Sequence, residues 1–266
     1  MRIASYPLDF LPAGTAPLPT LSRVVNAGSY LANAISPGEI LTLFSSDAQH
    51  PIGPASPATL TLDSTGKVAT TLGGVQVLIN GFACPMIYAS ATQLSAVAPY
   101  EIAPLTSATV IVKFLGQSSN GVNVNVATTS PGLFTANSSG TGPAAALNQN
   151  LTPNAPNNPA SRGDTVVLYL TGEGQTSPLG VTGKVTTVSA TPPLTPGPLL
   201  PISILINGQP ANYSFAGEAP TYVSGVLQLN VVIPATLTLP AGGADSSLVV
   251  SIGSNSTQSG VTLSIR

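Results

Sequence analysis

Tryptophan is absent from these 266 residues, histidine and cysteine occur once each, and charged side chains make up only 6% of the chain. Each scarcity removes a class of function. A lone cysteine, Cys84, forms no intrachain disulfide, and one His with one Cys cannot supply the four N/S ligands of a structural zinc site. The aspartates Asp9, Asp47, Asp63, Asp164 and Asp245 stand isolated, so no calcium loop is written in the sequence. A Ser-His-acid triad could use only His50, in Asp47-Ala48-Gln49-His50-Pro51, and no Gly-x-Ser-x-Gly elbow accompanies it. His50 is therefore expected to be a solvated loop residue, the protein not to be an enzyme, and no cofactor to be required. Seven basic residues, Arg2, Arg23, Lys67, Lys113, Arg162, Lys184 and Arg266, are scattered and give nucleic acid no basic stripe. No apolar run approaches the roughly 20 residues of a membrane-spanning helix. Helical periodicity is missing as well.

What the chain does contain, it writes twice. Val77-Leu78-Ile79-Asn80-Gly81-Phe82-Ala83-Cys84 returns as Ile204-Leu205-Ile206-Asn207-Gly208-Gln209-Pro210-Ala211, 127 positions later. The β-branched run suits a strand, and Asn-Gly suits a type I′ turn, so each copy is expected to be one β-hairpin. Upstream, Ser36-Pro37-Gly38-Glu39 matches Ser161-Arg162-Gly163-Asp164 at an offset of 125. Downstream, Gln93–Pro99 matches Gln228–Pro234 at 135, and Ser119–Val122 matches Gln258–Val261 near 139. Order is kept, and the offset grows where a loop can lengthen, notably around Gly217–Ser224. Two homologous domains follow.

Short apolar runs separated by turn residues every 8–12 positions have the spacing of an all-β sandwich. Strands are expected at Ile40–Phe44, Leu60–Leu62, Val75–Ile79, Met86–Ala89, Leu94–Ala98, Thr109–Phe114 and Val122–Val126, and in the second copy at Asp164–Thr171, Leu248–Ile252 and Val261–Ile265. The domains are placed at 23–128 and 142–266, with 129–141 as a linker. Residues 1–22 have no later copy; Pro7, Pro12, Pro17 and Pro19 favour an extended path, on which Tyr6, Leu8 and Phe10 share one face. They are candidate docking residues for a neighbouring subunit, with docking onto the chain's own first domain as the other possibility. Met1-Arg2 opens on a base without the 7–15-residue apolar stretch of a signal peptide, which is then absent or already removed.

Several residues need a specific reading. Cys84 aligns with Ala211, which suits a buried core filler. Gly172-Glu173-Gly174 has no Lys-Ser/Thr after it and is expected to be a glycine-bent turn rather than a phosphate loop. Lys113, in an apolar strand, is expected to protect a sheet edge. The surface must be built from Ser, Thr, Asn, Gln and Gly, a composition suited to an extracellular or cell-surface protein. Sequons at Asn137, Asn150, Asn212 and Asn255 make glycans possible.

Together, "VVNAGSY…ISPGEILTLF", "TTLGGVQVLING", "PGLFTANSSGTGPAAALNQN", "SRGDTVVLYLTGEGQTSPLGVTGK" and "GVLQLNVVIP" resemble the uncharacterised Solibacter-type C-terminal domain family of exported acidobacterial proteins, over roughly residues 22–266. The resemblance implies an exported tandem of immunoglobulin-like or transcription-factor-like sandwich domains without an assigned activity. It supplies no catalytic residues. Family members usually follow a large upstream region, so this chain is expected to be a free-standing version. A charge-poor sandwich leaves its edges competent to pair, so self-association into a filament by β-strand contacts is the expected role. An adhesin or carbohydrate-binding module, or the C-terminal module of a larger exported protein, is the alternative, which the absence of Trp weakens.

Overall fold

Both Asn-Gly pairs turn as their chemistry requires. Asn80 and Gly81 have φ of 48° and 86°, Asn207 and Gly208 have 52° and 77°, the two positive values of a type I′ turn. The computed structural model describes residues 18–239 and 245–266. Tyr6, Leu8 and Phe10 therefore lie outside the described residues.

The first domain comprises β1 (Leu21–Asn26), β2 (Ile40–Ser45), β3 (Ala58–Thr59), β4 (Val75–Ile79), β5 (Phe82–Ala83), β6 (Met86–Ala89), β7 (Gln93–Val97), β8 (Ser107–Phe114), β9 (Gln117–Ser118) and β10 (Val122–Asn125). They form two sheets, β1-β2-β7-β6-β3 and β10-β8-β4-β5, with β9 on β8. Alternate residues face inward, so Leu41, Leu43, Val77, Ile79, Met86, Leu94, Val110 and Val112 fill the space between the sheets at zero exposure. This is an immunoglobulin-like arrangement: the first, second, fifth and fourth main strands share one sheet, the third, sixth and seventh the other.

The second domain has β11 (Gly132–Leu133), β12 (Gly142–Pro143), β13 (Ala146–Leu147), β14 (Thr165–Thr171), β15 (Thr176–Ser177), β16 (Gly197–Pro198), β17 (Ile202–Ile206), β18 (Gln209–Glu218), β19 (Leu227–Val232), β20 (Asp245–Ile252), β21 (Asn255–Ser256) and β22 (Val261–Ser264). Ten of its strands form one sheet, β11-β14-β19-β18-β17-β20-β22-β12 with β13 on β14 and β21 on β20, around a core that includes Leu168, Leu170, Leu229, Val231, Val250 and Ile252, while β15 and β16 pair separately. The sheet closes on itself, because Thr135 after β11 bridges Ala144 after β12. The chain is thus two tandem immunoglobulin-like β-sandwiches.

Three expectations need correction. Neither Asn-Gly unit is a simple hairpin. In the first, β5 pairs with β4 for two residues, the chain crosses over at Cys84-Pro85, and β6 joins the other sheet. In the second, β18 pairs with β17, passes a bulge near Ser214 and continues against β19. Proline at position 85 lacks the N–H a continuous strand would need there, whereas the second copy bends through a bulge. Lys113 is not on an edge strand, because β8 lies between β10 and β4; its side chain points to solvent near the strand's end. Residues 129–141, expected to be a linker, carry β11, which pairs with β14.

The duplication extends to single hydrogen bonds. The Ser36 N–H donates to Glu39 Oε2 at 2.6 Å and the Ser161 N–H to Asp164 Oδ2 at 2.8 Å, in turns where Gly38 and Gly163 have φ of 75° and 87°. Asn120 accepts from the Leu21 N–H and donates to the Leu21 carbonyl, both at 2.9 Å. Gln258 does the same to Leu133, at 3.1 and 2.7 Å. Asn120 therefore corresponds to Gln258, one position away from the pairing suggested by sequence, and Ser259 is the extra residue before the matching glycines. Leu43→Ala and Leu168→Ala, equivalent positions with zero exposure, should each cost about 2–5 kcal/mol in urea unfolding. A loss below about 1 kcal/mol at either would contradict the paired cores.

Candidate functional site

Three of the four glutamates are buried where the domains meet. Glu39, Glu173 and Glu218 are each 1% exposed, and Tyr100 beside them is 3% exposed. Each comes from a different local device. Glu39 closes the Ser36–Glu39 turn, Glu218 ends β18, and Tyr100 opens the 3-10 turn Tyr100–Ile102. Glu173 is delivered by Gly172-Glu173-Gly174 at the end of β14. Both glycines have positive φ, 85° and 77°, and a Cβ on either would strike the carbonyl of Ser130 or Thr128. The segment is thus a glycine-bent turn packed against the domain crossing, as its sequence suggested.

An apolar layer surrounds these acids: Ile40, Val68 and Val97 from the first domain, Ala219, Val223 and Val226 from the second. Main-chain groups are matched across it. The Ile40 N–H donates to Thr171 Oγ1 at 2.8 Å, and that hydroxyl donates to the Gly225 carbonyl at 2.7 Å. The Val68 N–H reaches the Gly183 carbonyl at 2.8 Å, and Asn26 Nδ2 reaches the Ser130 carbonyl at 2.9 Å. Tyr100 donates its hydroxyl to Glu218 Oε1 at 3.2 Å, while Thr186 and Ser224 donate to Glu218 Oε2 at 2.9 and 3.1 Å.

Glu218 is well supplied with donors, but Glu173 has no hydrogen-bond partner on either oxygen, and Glu39 Oε1 has none. Burial pushes the Glu39 carboxyl up to about 8. Burial likewise pushes Glu173 up to about 8, with Glu218 and Glu39 adding to the rise. Tyr100 is held well above its ordinary value by burial, then by Glu173 and Glu218. An ion without water or a counter-charge is costly inside a protein, so Glu39 and Glu173 keep their protons near neutral pH. The pair resembles an acid-base site only in composition. General acid-base work needs a substrate within hydrogen-bond reach, and five clefts of about 300–520 Å³ on the described surface are lined by other residues. Among the described residues no group of three or more His, Cys, Asp or Glu is placed to hold a metal ion.

The other singled-out residues separate. His50 Nδ1 lies 2.8 Å from Asp47 Oδ1 on an exposed loop, where Asp47 also accepts the Gln49 and His50 N–H groups. The His50 hydrogen bond holds the Asp47 carboxyl below its usual range. Ser46 donates to Asp47 rather than to His50, so no triad forms. Cys84 is fully buried and its thiol is pushed up by burial, as a core filler should be. Asn137, Asn150 and Asn212 are exposed. Asn255 is half-buried and donates to the Thr129 carbonyl at 2.8 Å, so a glycan there would break that contact.

The domain contact itself was not read from the sequence. Its signal was the lengthening around Gly217–Ser224, which contributes Ala219, Val223 and Ser224; apolar residues in an inserted loop are expected to be covered by something.

The chain matches no protein-family model and no curated protein. Solved structures similar to it include the plexin A4 extracellular region, at 9% identity and TM-score 0.29, covering 93% of this chain and 18% of that one. Domains 5–6 of the S-layer protein SbsC match at 13% identity and TM-score 0.26, covering 93% and 98%. Tandem Ig repeats of Dlar match at 9% and 0.23, covering 94% and 99%. The chain spans 18% of the plexin chain's length. At such values these likenesses carry no functional argument.

The carboxyls make domain contact pH-dependent. They bind their protons more tightly folded than unfolded, so their contribution is complete below 4.5 and lost as pH rises through about 8. The thermal midpoint should therefore fall between those limits, and Glu173→Gln should flatten the fall by roughly half, leaving Glu39. An unchanged pH slope in the variant, measured by calorimetry, would contradict the assignment.

Proposed function

We propose that the chain is a non-enzymatic extracellular structural protein, a subunit of a surface filament built by subunit-to-subunit β-strand contacts. The observation that carries this reading is the contrast between its two sheet systems. The second domain closes its sheet, while in the first, among the described residues, β1 and β10 end their sheets on the same side of the sandwich, bridged only by Ile35 at Val126. A surface with 6% charged residues places few repelling groups along such an edge. The contact of the two domains, with its apolar layer and cross-domain hydrogen bonds, gives the subunit the stiffness a fibre needs. Glycans on Asn137, Asn150 or Asn212 would supply the solubility that charge does not. Under this proposal the chain belongs with the exported Solibacter-type domains that its motifs resemble.

A second reading is favoured by one feature. Leu199, Leu200, Tyr213 and Phe215 contribute to an open cleft of about 450 Å³ on the second domain, which has mixed polar and apolar walls and would suit a partner-binding or adhesin module.

The full chain should give filaments by negative-stain microscopy and a rising mass by light scattering with concentration. Deleting residues 1–17, which leaves β1 and the Leu21–Asn120 hydrogen bonds in place, should abolish both. Filaments from the deleted chain, or a monomeric full chain at high concentration, would reject the filament reading and favour the adhesin module.

A further inference from the structure

The two halves build the same outermost strand and then treat it differently. Leu133 pairs with Leu170 as Leu21 pairs with Ser45, and Ala146 and Leu147 then take the places of Val24 and Val25. Between these points the second domain inserts residues 134–143, where the first has only a bulge between Leu21 and Arg23. The insertion carries β12, which adds in parallel to β22, with Gly142 beside Val261 and Pro143 beside Thr262. The Gly142 N–H donates to the Gly260 carbonyl and the Ala144 N–H to the Thr262 carbonyl, both at 2.8 Å. Pro143 sits between these donors, where no N–H is needed. Ala144 is 2% exposed.

The first domain has no such strand among its described residues. In its place is a cleft of about 520 Å³ between β1 and β10, walled by Arg23, Val24, Ala32, Val122 and Asn123. The Val126 N–H bonds the Thr106 carbonyl, and Val124 and Val122 face Ala108 and Val110 in register. Antiparallel pairing alternates, so Asn123 turns its N–H and C=O away from β8 and into the cleft. Asn123 is the counterpart of Thr262, whose carbonyl takes the Ala144 N–H.

We propose that this cleft is the acceptor for residues 3–11 of a second copy of the chain, entering parallel to β10 with Tyr6-Pro7-Leu8 standing where Gly142-Pro143-Ala144 stands in the second domain. The proposal rests on the filament reading and adds its acceptor and register. In that register the Leu8 N–H meets the Asn123 carbonyl, Pro7 falls where the occupied slot already accepts a proline, and Leu8 fills the space that Ala144 fills in the other half. Tyr6, two positions before Leu8, lies on the same face. Beyond Leu8 the edge is taken, because the Ile35 N–H holds the Asn125 carbonyl at 2.9 Å and the Ala127 N–H holds the Ile35 carbonyl at 2.8 Å, so the added strand pairs over Tyr6-Pro7-Leu8 and Phe10 turns away from β10. Parallel entry selects a second copy over the chain's own segment. Leu21 is tied to Asn120, just before β10 begins. A strand running parallel to β10 leaves the cleft at the far end, and returning to Leu21 would need a crossover of roughly a dozen residues or more. Residues 12–20, with Pro12, Pro17 and Pro19, are too few.

Donor and acceptor can be inactivated separately in the full chain. Leu8→Asp spoils the donor. Asn123→Pro removes the outward N–H and obstructs the cleft while leaving the main-chain pairing with β8 intact, losing only the Thr109 Oγ1 to Asn123 Oδ1 hydrogen bond of 2.8 Å, and Ala32→Trp plugs the same cleft from an exposed wall position with that bond kept. Each variant alone should sediment as a folded monomer, the Ala32→Trp variant with wild-type thermal stability. A mixture of Leu8→Asp with either acceptor variant should form a dimer of twice the monomer mass and no larger species. If both acceptor variants still form filaments, the acceptor lies elsewhere and the filament reading survives. If the wild-type chain stays monomeric at high concentration, both are wrong.

Discussion

The last strand of a sheet leaves half of its N–H and C=O groups unmatched, and the two halves of this chain differ most in how they meet that constraint. In the second domain an insertion after Leu133 lays β12 along β22, and the sheet closes. In the first, Ile35 bridges only Val126 at the far end of β10, and the Asn123 groups face a cleft. Charged gatekeepers would blunt such an edge in most proteins. Here Lys113, the one cation in this sheet, lies on a central strand instead. Among the described residues β10 carries no lysine or proline and is bridged on its open side only at Val126, with Arg23 of β1 across the cleft from it.

The same duplication made the domain contact. Ser-x-Gly-acid turns stand at equivalent places in both copies with the same internal hydrogen bond, yet Asp164 is partly exposed while Glu39 is buried beneath the second domain. Covered by the second domain, Glu39 has its carboxyl pushed up to about 8 by burial and keeps its proton near neutral pH. Glu173 and Glu218 joined it from segments belonging to the second copy alone. Hydroxyl donors satisfy Glu218, and burial keeps the proton on the other two. The contact resembles a domain core more than a catalytic cleft, since Ile40, Val97 and Val226 are buried around it.

Most of the fold was legible because local chemistry and global topology agree. The runs at Val75–Ile79 and Met86–Ala89 are strands with those bounds, and the Asn-Gly turns have the required positive φ. The strand expected at Leu60–Leu62 falls instead at Ala58–Thr59, on a sheet border where few neighbours fix it. What local pattern could not reveal was pairing at a distance. The amide clamps from Asn120 and Gln258 to the first strands, and the burial of three glutamates, arise from contacts across about a hundred residues or more. No periodicity records such contacts. The insertion of residues 134–143 was visible only as low-complexity sequence, and its strand became apparent once β22 stood beside it.

The open edge is the centre of this account, and amide hydrogen exchange reads it directly. If the proposed strand contact forms, the Asn123 N–H should exchange at a rate that falls with protein concentration, while the Thr262 N–H beside β12 should be protected at every dilution. Equal protection of both amides at high dilution would contradict the account, as would fast exchange of Asn123 in concentrated protein.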